Sequence, residues 1–472
     1  MPEPASAPLL EQLRQHGQAH LVRWWDELNA DERRLLTDQL AEVDLRQVAA
    51  LYRDLTSGGP AGESPAEQAR RARPPGDLIR VPANDADQAA WAAARATGNE
   101  LLNAGRVGVI LVAGGEGTRL GFPHPKGEFP IGPVSGKTLF QLLAEQVVAR
   151  AQRAGRPIPY YVMTSHATHA ETVSFFERHR FFGLDPARVH FFRQGRMPAV
   201  DRQTGKLLLA SKHELALNPD GHGGLLTALE RSKLLAAMRR DGIDFLYYHQ
   251  IDNPLARVCD PAFLGFHAQH GSEVSTKVVA KLSPEERMGV VADVDGRSQI
   301  IEYSDLPADV AAQREADGQL RFWAGSTAMH VFSRAFFDRL TEGSVGLPFH
   351  WAIKKVPFLD DAGAGGEPAA ENAVKFERFI FDVLPLAQRS LVVEARREDE
   401  FCPLKNKSGD FSKEHVQQSL SRLYAGWLRS AGAHVADDLP VEISARYALD
   451  ADDVAARTDI PRQITKPVSL DR

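Results

Sequence analysis

The sequence is poor in cysteine, in long apolar runs and in excess positive charge, and each shortage excludes a class of protein. Its 472 residues include only Cys259 and Cys402, which lie far apart, so neither a disulfide framework nor a zinc cluster is expected. No apolar run reaches the ~20 residues that cross a bilayer. No secretory signal pattern opens the chain. A net charge of −6 argues against electrostatic binding of nucleic acid. We therefore expect a cytoplasmic globular protein without nucleic-acid or membrane partners.

The first part of the chain has the apolar spacing of helices. This spacing runs over residues 9–48, where Asn29 is placed to cap a helix and the Trp24–Trp25 pair is placed on a face that docks on the protein body. Residues 57–76 are rich in glycine, proline and charge, which favours a linker or an exposed loop.

From Arg106 onward, short apolar runs alternate with amphipathic segments. Strands are predicted at residues 107–112, 160–163 and 245–248, and helices at 138–153, 168–179 and 225–240. Residues 274–303 alternate in polarity around the turn Asp295-Gly296 and predict antiparallel strands. The pattern indicates an α/β fold with a doubly wound mixed sheet.

A glycine-rich loop, Gly114-Gly115-Glu116-Gly117-Thr118-Arg119-Leu120, follows the first buried strand directly. Ligands of open α/β sheets bind at this place. The dinucleotide fingerprint needs a glycine where the chain has Leu120, so an NAD-dependent enzyme has only the turn in its favour. The segment from Gly132 to Thr138 has three residues between its glycines where a P-loop has four, and a plain turn before a helix is the better interpretation.

Two cations accompany the glycine loop. Arg119 can bind phosphate with its guanidinium fork, and Lys126, the first lysine of the chain, can act as a mobile point charge. Transfer of a nucleotidyl group from a triphosphate builds negative charge that backbone amides alone cannot neutralise. The combination therefore points to nucleotidyl transfer.

These residues also carry a family resemblance, which extends through ten ordered blocks. The chain resembles the UDP-sugar pyrophosphorylases (UDPGP type 1), and most closely the UDP-N-acetylglucosamine pyrophosphorylase branch. Besides residues 111–127, the matching blocks are residues 163–165, 181–184, 194 with 197–200, 218–224, 251–254, 289–291, 301–304, 375–377 and 397–406.

The resemblance implies a fold, a domain plan and a reaction. The fold is that of a nucleotide-diphospho-sugar transferase (GT-A/Rossmann-like). The plan has an N-terminal helical region and linker (1–95), a catalytic domain (96–385) and a small C-terminal region (386–472). The implied enzyme is a magnesium-dependent uridylyltransferase that converts UTP and a sugar 1-phosphate to a UDP-sugar and pyrophosphate by in-line attack on the α-phosphate.

The resemblance also implies site residues in four groups. The catalytic cations are Arg119, Lys126 and Lys405, and the metal ligand is Asp252. The nucleotide-binding residues are Leu111, Ala113, Gly114, Gly115, Gln194, Gly221 and His222. The sugar-binding residues are Gly289, Glu302 and Tyr303.

Two departures from the family pattern fall near the sugar. The N-acetylglucosamine enzymes usually carry asparagine at the position of His222 and an Asn-Ala-Gly-Asn element where this chain has Trp323-Ala324-Gly325-Ser326. Loss of amides can change sugar discrimination by roughly one to a few kcal/mol. We expect N-acetylglucosamine 1-phosphate as substrate, with glucose or galactose 1-phosphate as alternatives, and a non-catalytic UDP-sugar sensor as the alternative outside the enzymes.

Overall fold

The computed structural model describes residues 7–57, 64–343 and 346–471. The chain divides into two compact units. The first unit comprises residues 1–64, 194–225 and 346–382, and the second comprises residues 65–193, 226–345 and 383–472. The domain boundaries predicted from the sequence stay a prediction.

The first unit combines N-terminal helices with short strands. Its helices are Ala7–Gln15, Ala30–Glu42 and Leu45–Thr56, with 3₁₀ turns at Ala19–Val22, Trp25–Glu27 and His222–Gly224. Its strands are Arg196–Pro198, Val200–Asp201, Leu209–Ser211, Glu214–Leu215, Leu217–Pro219, His350–Lys354, Phe358–Leu359, Gly365–Gly366 and Ala373–Glu377. Asn29 caps the second helix through a capping box with Glu32, as predicted. Trp24 and Trp25 pack against the core of this unit, which confirms their docking role.

The second unit is built on a ten-stranded mixed sheet. The strands are β1 Leu78–Ile79, β2 Val107–Val112, β3 Tyr160–Thr164, β4 Val189–Arg193, β5 Phe245–Gln250, β6 Val274–Ala280, β7 Val290–Val294, β8 Arg297–Ile301, β9 Ala324–Ser333 and β10 Ser390–Glu394. The main order is β1-β10-β6-β9-β5-β2-β3-β4, and the antiparallel hairpin β7–β8 joins β9. The strands of β5-β2-β3-β4 are parallel, whereas β9 is antiparallel to both β5 and β6. This arrangement confirms the predicted α/β class with a mixed sheet.

Helices connect these strands and supply much of the core. They are Pro65–Arg71, Asp85–Asn103, Leu139–Ala154, His169–Arg178, Leu225–Arg231, Leu234–Arg240, Pro261–Gln269, Ala308–Ala311, Arg334–Glu342, Arg397–Glu400, Lys413–Ser430 and Ala451–Ala455. Shorter 3₁₀ turns lie at Thr118–Leu120, Lys126–Glu128, Arg180–Gly183, Pro186–Arg188 and Ile380–Leu386. Two parallel strand pairs, His434–Val435 with Gln463–Ile464 and Val441–Ile443 with Val468–Leu470, close the C-terminal region.

Two local predictions were wrong. Residues 65–71 form a helix, not a linker or loop, because Ala69 is buried with Ala72 and Val290 in an apolar cluster; residues 58–63 of the predicted linker lie outside the described part of the chain. Residues 225–240 form two helices because Lys233 adopts a left-handed conformation, with φ of 59°, that ends the first one.

The structure also bears on membrane and redox expectations. Within the described ranges, no helix combines the length and apolarity needed to span a membrane. Cys259 and Cys402 are buried free thiols.

Candidate active site

The glycine loop and Asp252 meet at one edge of the sheet. Because β2, β3 and β5 are parallel, their carboxyl ends lie together. The Ile251 amide donates to the Val112 carbonyl at 3.0 Å, and the Ala113 amide donates to the Met163 carbonyl at 2.8 Å. The two loops therefore leave the sheet as direct neighbours, in the place where open α/β sheets bind ligands.

The glycine loop folds back so that Lys126 returns to its start. The Lys126 amide donates to the Gly115 carbonyl at 3.1 Å. Gly117 is required by this turn, since a Cβ there would lie 2.6 Å from the Phe122 carbonyl oxygen. Gly115 is different, because it is exposed and a Cβ there would meet no atom within 4 Å. The backbone beside Gly115 is thus open to a ligand, whereas Leu111 and Ala113, earlier in the chain, are buried.

Lys126 lies among the charges that the sequence predicted for the site. Burial lowers the pKa of its ammonium group below the ordinary value. The Asp252 carboxylate partly opposes this shift, and the Lys405 and Arg119 cations add to it. The structure therefore brings Arg119, Asp252 and Lys405 close enough to Lys126 to act on its charge.

Lys405 reaches this cluster through main-chain contacts of its own segment. The Leu404 amide donates to the Asp252 carbonyl at 2.7 Å, and the Lys405 amide donates to the Phe411 carbonyl at 2.9 Å. The side chain of Lys405 is exposed. The backbone is therefore fixed on both sides of a cation that stays open to a polyanion.

Lys407 is a neighbour of the glycine loop that sequence reasoning missed. A Cβ placed on Gly121 would lie 3.9 Å from the Lys407 ammonium nitrogen. The signal was present in the sequence as a second lysine two positions after Lys405. The loop that carries Lys405 thus brings a further cation to the glycine loop.

Two of the three predicted sugar residues touch each other. A Cβ on Gly289 would lie 2.9 Å from Glu302 Oε1, so a larger residue would displace that carboxylate. The Gly289 carbonyl accepts a hydrogen bond from the Ser326 amide at 2.8 Å, which ties it to β9. Tyr303, next to Glu302, is 48% exposed. Because β9 runs antiparallel to β5, its Ala324–Ser326 end lies at the same sheet edge as Asp252.

Trp323 stands where the resembled enzymes carry an amide. Its side chain is buried in a cluster with Val278 and Val392, and the Arg80 guanidinium covers the ring at 4.2 Å from the centroid. The indole is therefore held by the protein's own packing.

The remaining nucleotide candidates lie together in the first unit. The Asp220 amide donates to the Gly195 carbonyl at 3.1 Å. This hydrogen bond joins the segment of buried Gln194 to the segment that continues into Gly221 and His222. Gly221 has φ of +82°, and a Cβ there would lie 2.3 Å from the Arg378 carbonyl oxygen. Both the backbone conformation and the packing against Arg378 therefore require glycine at position 221.

His222 is held as a neutral hydrogen-bond donor. Its Nδ1 accepts a hydrogen bond from the Ile380 amide at 3.0 Å, so the ring proton lies on Nε2. Burial, together with the charge of His350, lowers the pKa of His222 to about 4. The ring packs against Phe379 and Phe381.

The segment that resembles a P-loop binds a carboxylate of its own chain. The Val134 and Ser135 amides donate to buried Glu442 at 2.9 and 2.8 Å. Lys137 pairs with Glu145 at 2.8 Å and with Asp471 at 2.9 Å. The plain turn before a helix is confirmed, since Thr138 caps the helix Leu139–Ala154.

The described residues suit a cation held mainly by its substrate. No group of three or more histidine, cysteine, aspartate or glutamate side chains among them could hold a metal ion. Magnesium differs from zinc in needing one or two carboxylates when phosphate oxygens complete its shell. Asp252, partly exposed and close enough to Lys126 to act on its charge, fits that requirement.

Comparison with known proteins gives a consistent result. The profile of the family described as UTP--glucose-1-phosphate uridylyltransferase matches residues 77–429. The chain is 39% identical over 441 residues to the human UDP-N-acetylhexosamine pyrophosphorylase-like protein 1, covering 90% of this chain and 86% of that protein. It is 38% identical over 362 residues to the Saccharomyces cerevisiae UDP-N-acetylglucosamine pyrophosphorylase, covering 74% of this chain and 76% of that protein.

A solved structure agrees with the fold. The uridine diphosphate N-acetylglucosamine pyrophosphorylase from Trypanosoma brucei superposes with a TM-score of 0.82 at 24% identity, covering 100% of this chain and 99% of that chain. At this identity the likeness establishes the architecture alone.

Proposed function

The chain belongs to the UTP--glucose-1-phosphate uridylyltransferase family, and from that premise we propose that it is a uridylyltransferase acting on UTP and N-acetylglucosamine 1-phosphate. The sugar is taken from the name of the relative that is 38% identical; the relative that is 39% identical is named for an N-acetylhexosamine. The single observation that carries the chemistry is the position of Lys126 among the Asp252 carboxylate and the Lys405 and Arg119 cations at the carboxyl edge of the sheet.

The proposed reaction needs positioning and charge, not a nucleophilic side chain. An oxygen of the sugar phosphate forms a bond to the α-phosphorus of UTP while the bond to the bridging oxygen breaks, and pyrophosphate leaves with the electron pair. Negative charge grows on the α-phosphate and on the leaving group, where Lys126, Arg119 and Lys405 would neutralise it. The backbone of Leu111, Ala113, Gly114 and Gly115 would hold the nucleotide.

Magnesium is part of the proposal. Asp252 would hold the ion together with phosphate oxygens, and bound Mg²⁺ would supply Lewis-acid polarisation of those oxygens. Removal of divalent cations with EDTA should abolish turnover, and added Mg²⁺ should restore it.

Roles for the other predicted residues follow from their chemistry. Gln194 would read the uracil edge with its amide, beside Gly221, and neutral His222 would donate from Nε2 to a ribose, phosphate or sugar oxygen. Glu302 would accept hydrogen bonds from sugar hydroxyls, flanked by Gly289 and Tyr303. A cytoplasmic location completes the proposal, because two buried free cysteines suit a reducing compartment.

A second candidate substrate is glucose or galactose 1-phosphate. The observation that favours it is the position of Trp323, which replaces an amide of the N-acetylglucosamine enzymes and is buried under Arg80. A pocket without that amide would have less to discriminate an acetamido group from a hydroxyl.

A panel of sugar 1-phosphates separates these candidates. The protein is incubated with UTP, Mg²⁺ and one sugar 1-phosphate at a time, and pyrophosphate release is followed. We expect the highest kcat/KM with N-acetylglucosamine 1-phosphate. A higher value with glucose 1-phosphate would select the second candidate, and no release with any sugar would refute the enzyme.

A further inference from the structure

Asn253, next to the proposed metal ligand, binds the segment that carries Lys405. Its Nδ2 donates to the Glu400 carbonyl at 2.7 Å, and its Oδ1 accepts from the Cys402 amide at 3.1 Å. The side chain is 3% exposed, and both ends of the amide are used. One side chain thus makes both hydrogen bonds of a strand-like pair with residues that are 147 and 149 positions away.

The main chain of Asp252 continues this pairing. Its carbonyl accepts from the Leu404 amide at 2.7 Å, so the contacts at residues 400, 402 and 404 form one unbroken series. Lys405 is the next residue. Any shift of this segment would therefore move the Lys405 cation relative to the Asp252 carboxylate.

A buried ion pair fixes the start of the same segment. The Lys277 ammonium group, 1% exposed, lies 2.6 Å from the Glu400 carboxylate and 2.7 Å from the Asp260 carboxylate. Burial lowers the pKa of Lys277, but the two carboxylates outweigh it and hold the pKa above the ordinary value. Glu400 is therefore anchored to the central strand β6 as a charged pair.

We propose that Asn253, supported by the Lys277–Glu400 pair, is a positioning residue that sets Lys405 against Asp252 for the reaction. The inference rests on the proposed uridylyl transfer. Asn253 would touch neither reacting group and would act through Lys405. Catalytic groups lose much of their effect when they are displaced by about 1 Å, which is why a clamp on residues 400–404 matters for turnover.

A double-mutant cycle tests whether Asn253 acts through Lys405. We expect Asn253→Ala to lower kcat by about 10- to 100-fold, the usual range for supporting residues, with a smaller change in KM for UTP. Lys405→Ala should lower kcat by about 10²–10³-fold. The kcat of the double variant should be less than about threefold below that of Lys405→Ala, because the group through which Asn253 acts is already absent. Effects that multiply would overturn the proposal.

Hydrogen exchange tests the clamp without using activity. In Asn253→Ala, the amides of residues 400–405 should exchange about fivefold faster, as expected for one lost hydrogen bond, while those of β2 and β5 stay protected. Unchanged exchange in residues 400–405 would refute the clamp. A parent that releases no pyrophosphate would refute the proposed function instead.

Asn372 offers a matched control. Its Oδ1 accepts from the Val356 amide at 2.9 Å and its Nδ2 donates to the Val356 carbonyl at 3.0 Å, on a segment without predicted site residues. Asn372→Ala should leave kcat within about twofold of the parent. If Asn253→Ala does not fold, Asn253→Asp replaces it, since it keeps the acceptor for the Cys402 amide and loses the donor to Glu400. It should show the same non-additivity with Lys405→Ala, and multiplying effects would again overturn the proposal.

Discussion

Replacing Lys126 with methionine should remove activity without removing stability. In the free protein this cation is partly buried, and it faces two other cations, Lys405 and Arg119, against one carboxylate, Asp252. Burial is the main cause that disfavours the charged form; the Asp252 carboxylate opposes it, and the Lys405 and Arg119 cations add to it. A bound polyanion would favour the charged form. Lys126→Met keeps the length of the apolar stem and deletes only the charge.

Two magnitudes follow from this environment. Loss of one preorganised cation at the α-phosphate should lower kcat by about 10²–10³-fold, or about 3–4 kcal/mol. The free energy of unfolding should stay equal or rise by about 0.5–2 kcal/mol, as for other relieved charge clusters. Because the folded pKa of Lys126 lies below its unfolded value, the parent gains stability as pH rises between the two. The advantage of the variant should therefore be largest at pH 7 and shrink toward pH 10.5.

Lys137→Met is the matched control. Lys137 is 9% exposed and pairs with Glu145 and Asp471. Its replacement leaves the buried Glu145 carboxylate without its cation and should lower the free energy of unfolding by about 3–5 kcal/mol. Pyrophosphate release gives the activity, and urea denaturation gives the stability. The reasoning fails if Lys126→Met is active at the parent rate or loses as much stability as Lys137→Met.

Three further substitutions test other parts of the account. Burial and the Glu171 carboxylate raise the pKa of Glu128 from 4.5 to about 7. The parent should therefore lose stability as the pH rises from 4.5 to 7, whereas Glu128→Gln should not. A Tm difference between the parent and Glu128→Gln that is the same at pH 4.5 and at pH 8 would contradict this. His222→Asn should raise the kcat/KM ratio of N-acetylglucosamine 1-phosphate to glucose 1-phosphate about tenfold, and an unchanged ratio would remove His222 from sugar recognition. Glu442→Gln should cost about 1–3 kcal/mol of stability and leave KM for UTP unaltered, whereas a raised KM would make the turn at 132–137 a phosphate site.

Six of the ten strands of the central sheet were predictable because their signals are local, whereas β1, β4, β9 and β10 were not predicted. The continuous apolar run at Val107–Val112 coincides with β2 at both ends, and the turn Asp295-Gly296 joins β7 to β8 as expected. The helix Pro65–Arg71 was missed because only Ala69 is buried in its seven residues, too few to show a period. The break at Lys233 has no glycine or proline to announce it.

The residue types of the candidate site were predictable from the sequence, but the hydrogen bonds and ion pairs that hold those residues in place were not. The glycine loop and its cations follow from motif chemistry, and Lys405 follows from the family resemblance. The clamp by Asn253 joins residues 149 positions apart, and the Lys277–Glu400 pair joins residues 123 apart. Such contacts leave no period or spacing in the sequence, because they arise only once the strands have been ordered into a sheet. The first unit shows the same limit, since it gathers three separate segments of the chain.

Uridylyl transfer assisted by Lys126 is tested by the rate of UDP-N-acetylglucosamine formation from UTP, N-acetylglucosamine 1-phosphate and Mg²⁺, measured for the parent and for Lys126→Met. We expect steady turnover by the parent, with one pyrophosphate released for each UDP-sugar formed, and a variant slower by about 10²–10³-fold. A parent that binds UDP-N-acetylglucosamine without forming it would be a sensor, and that result would refute the proposed uridylyl transfer.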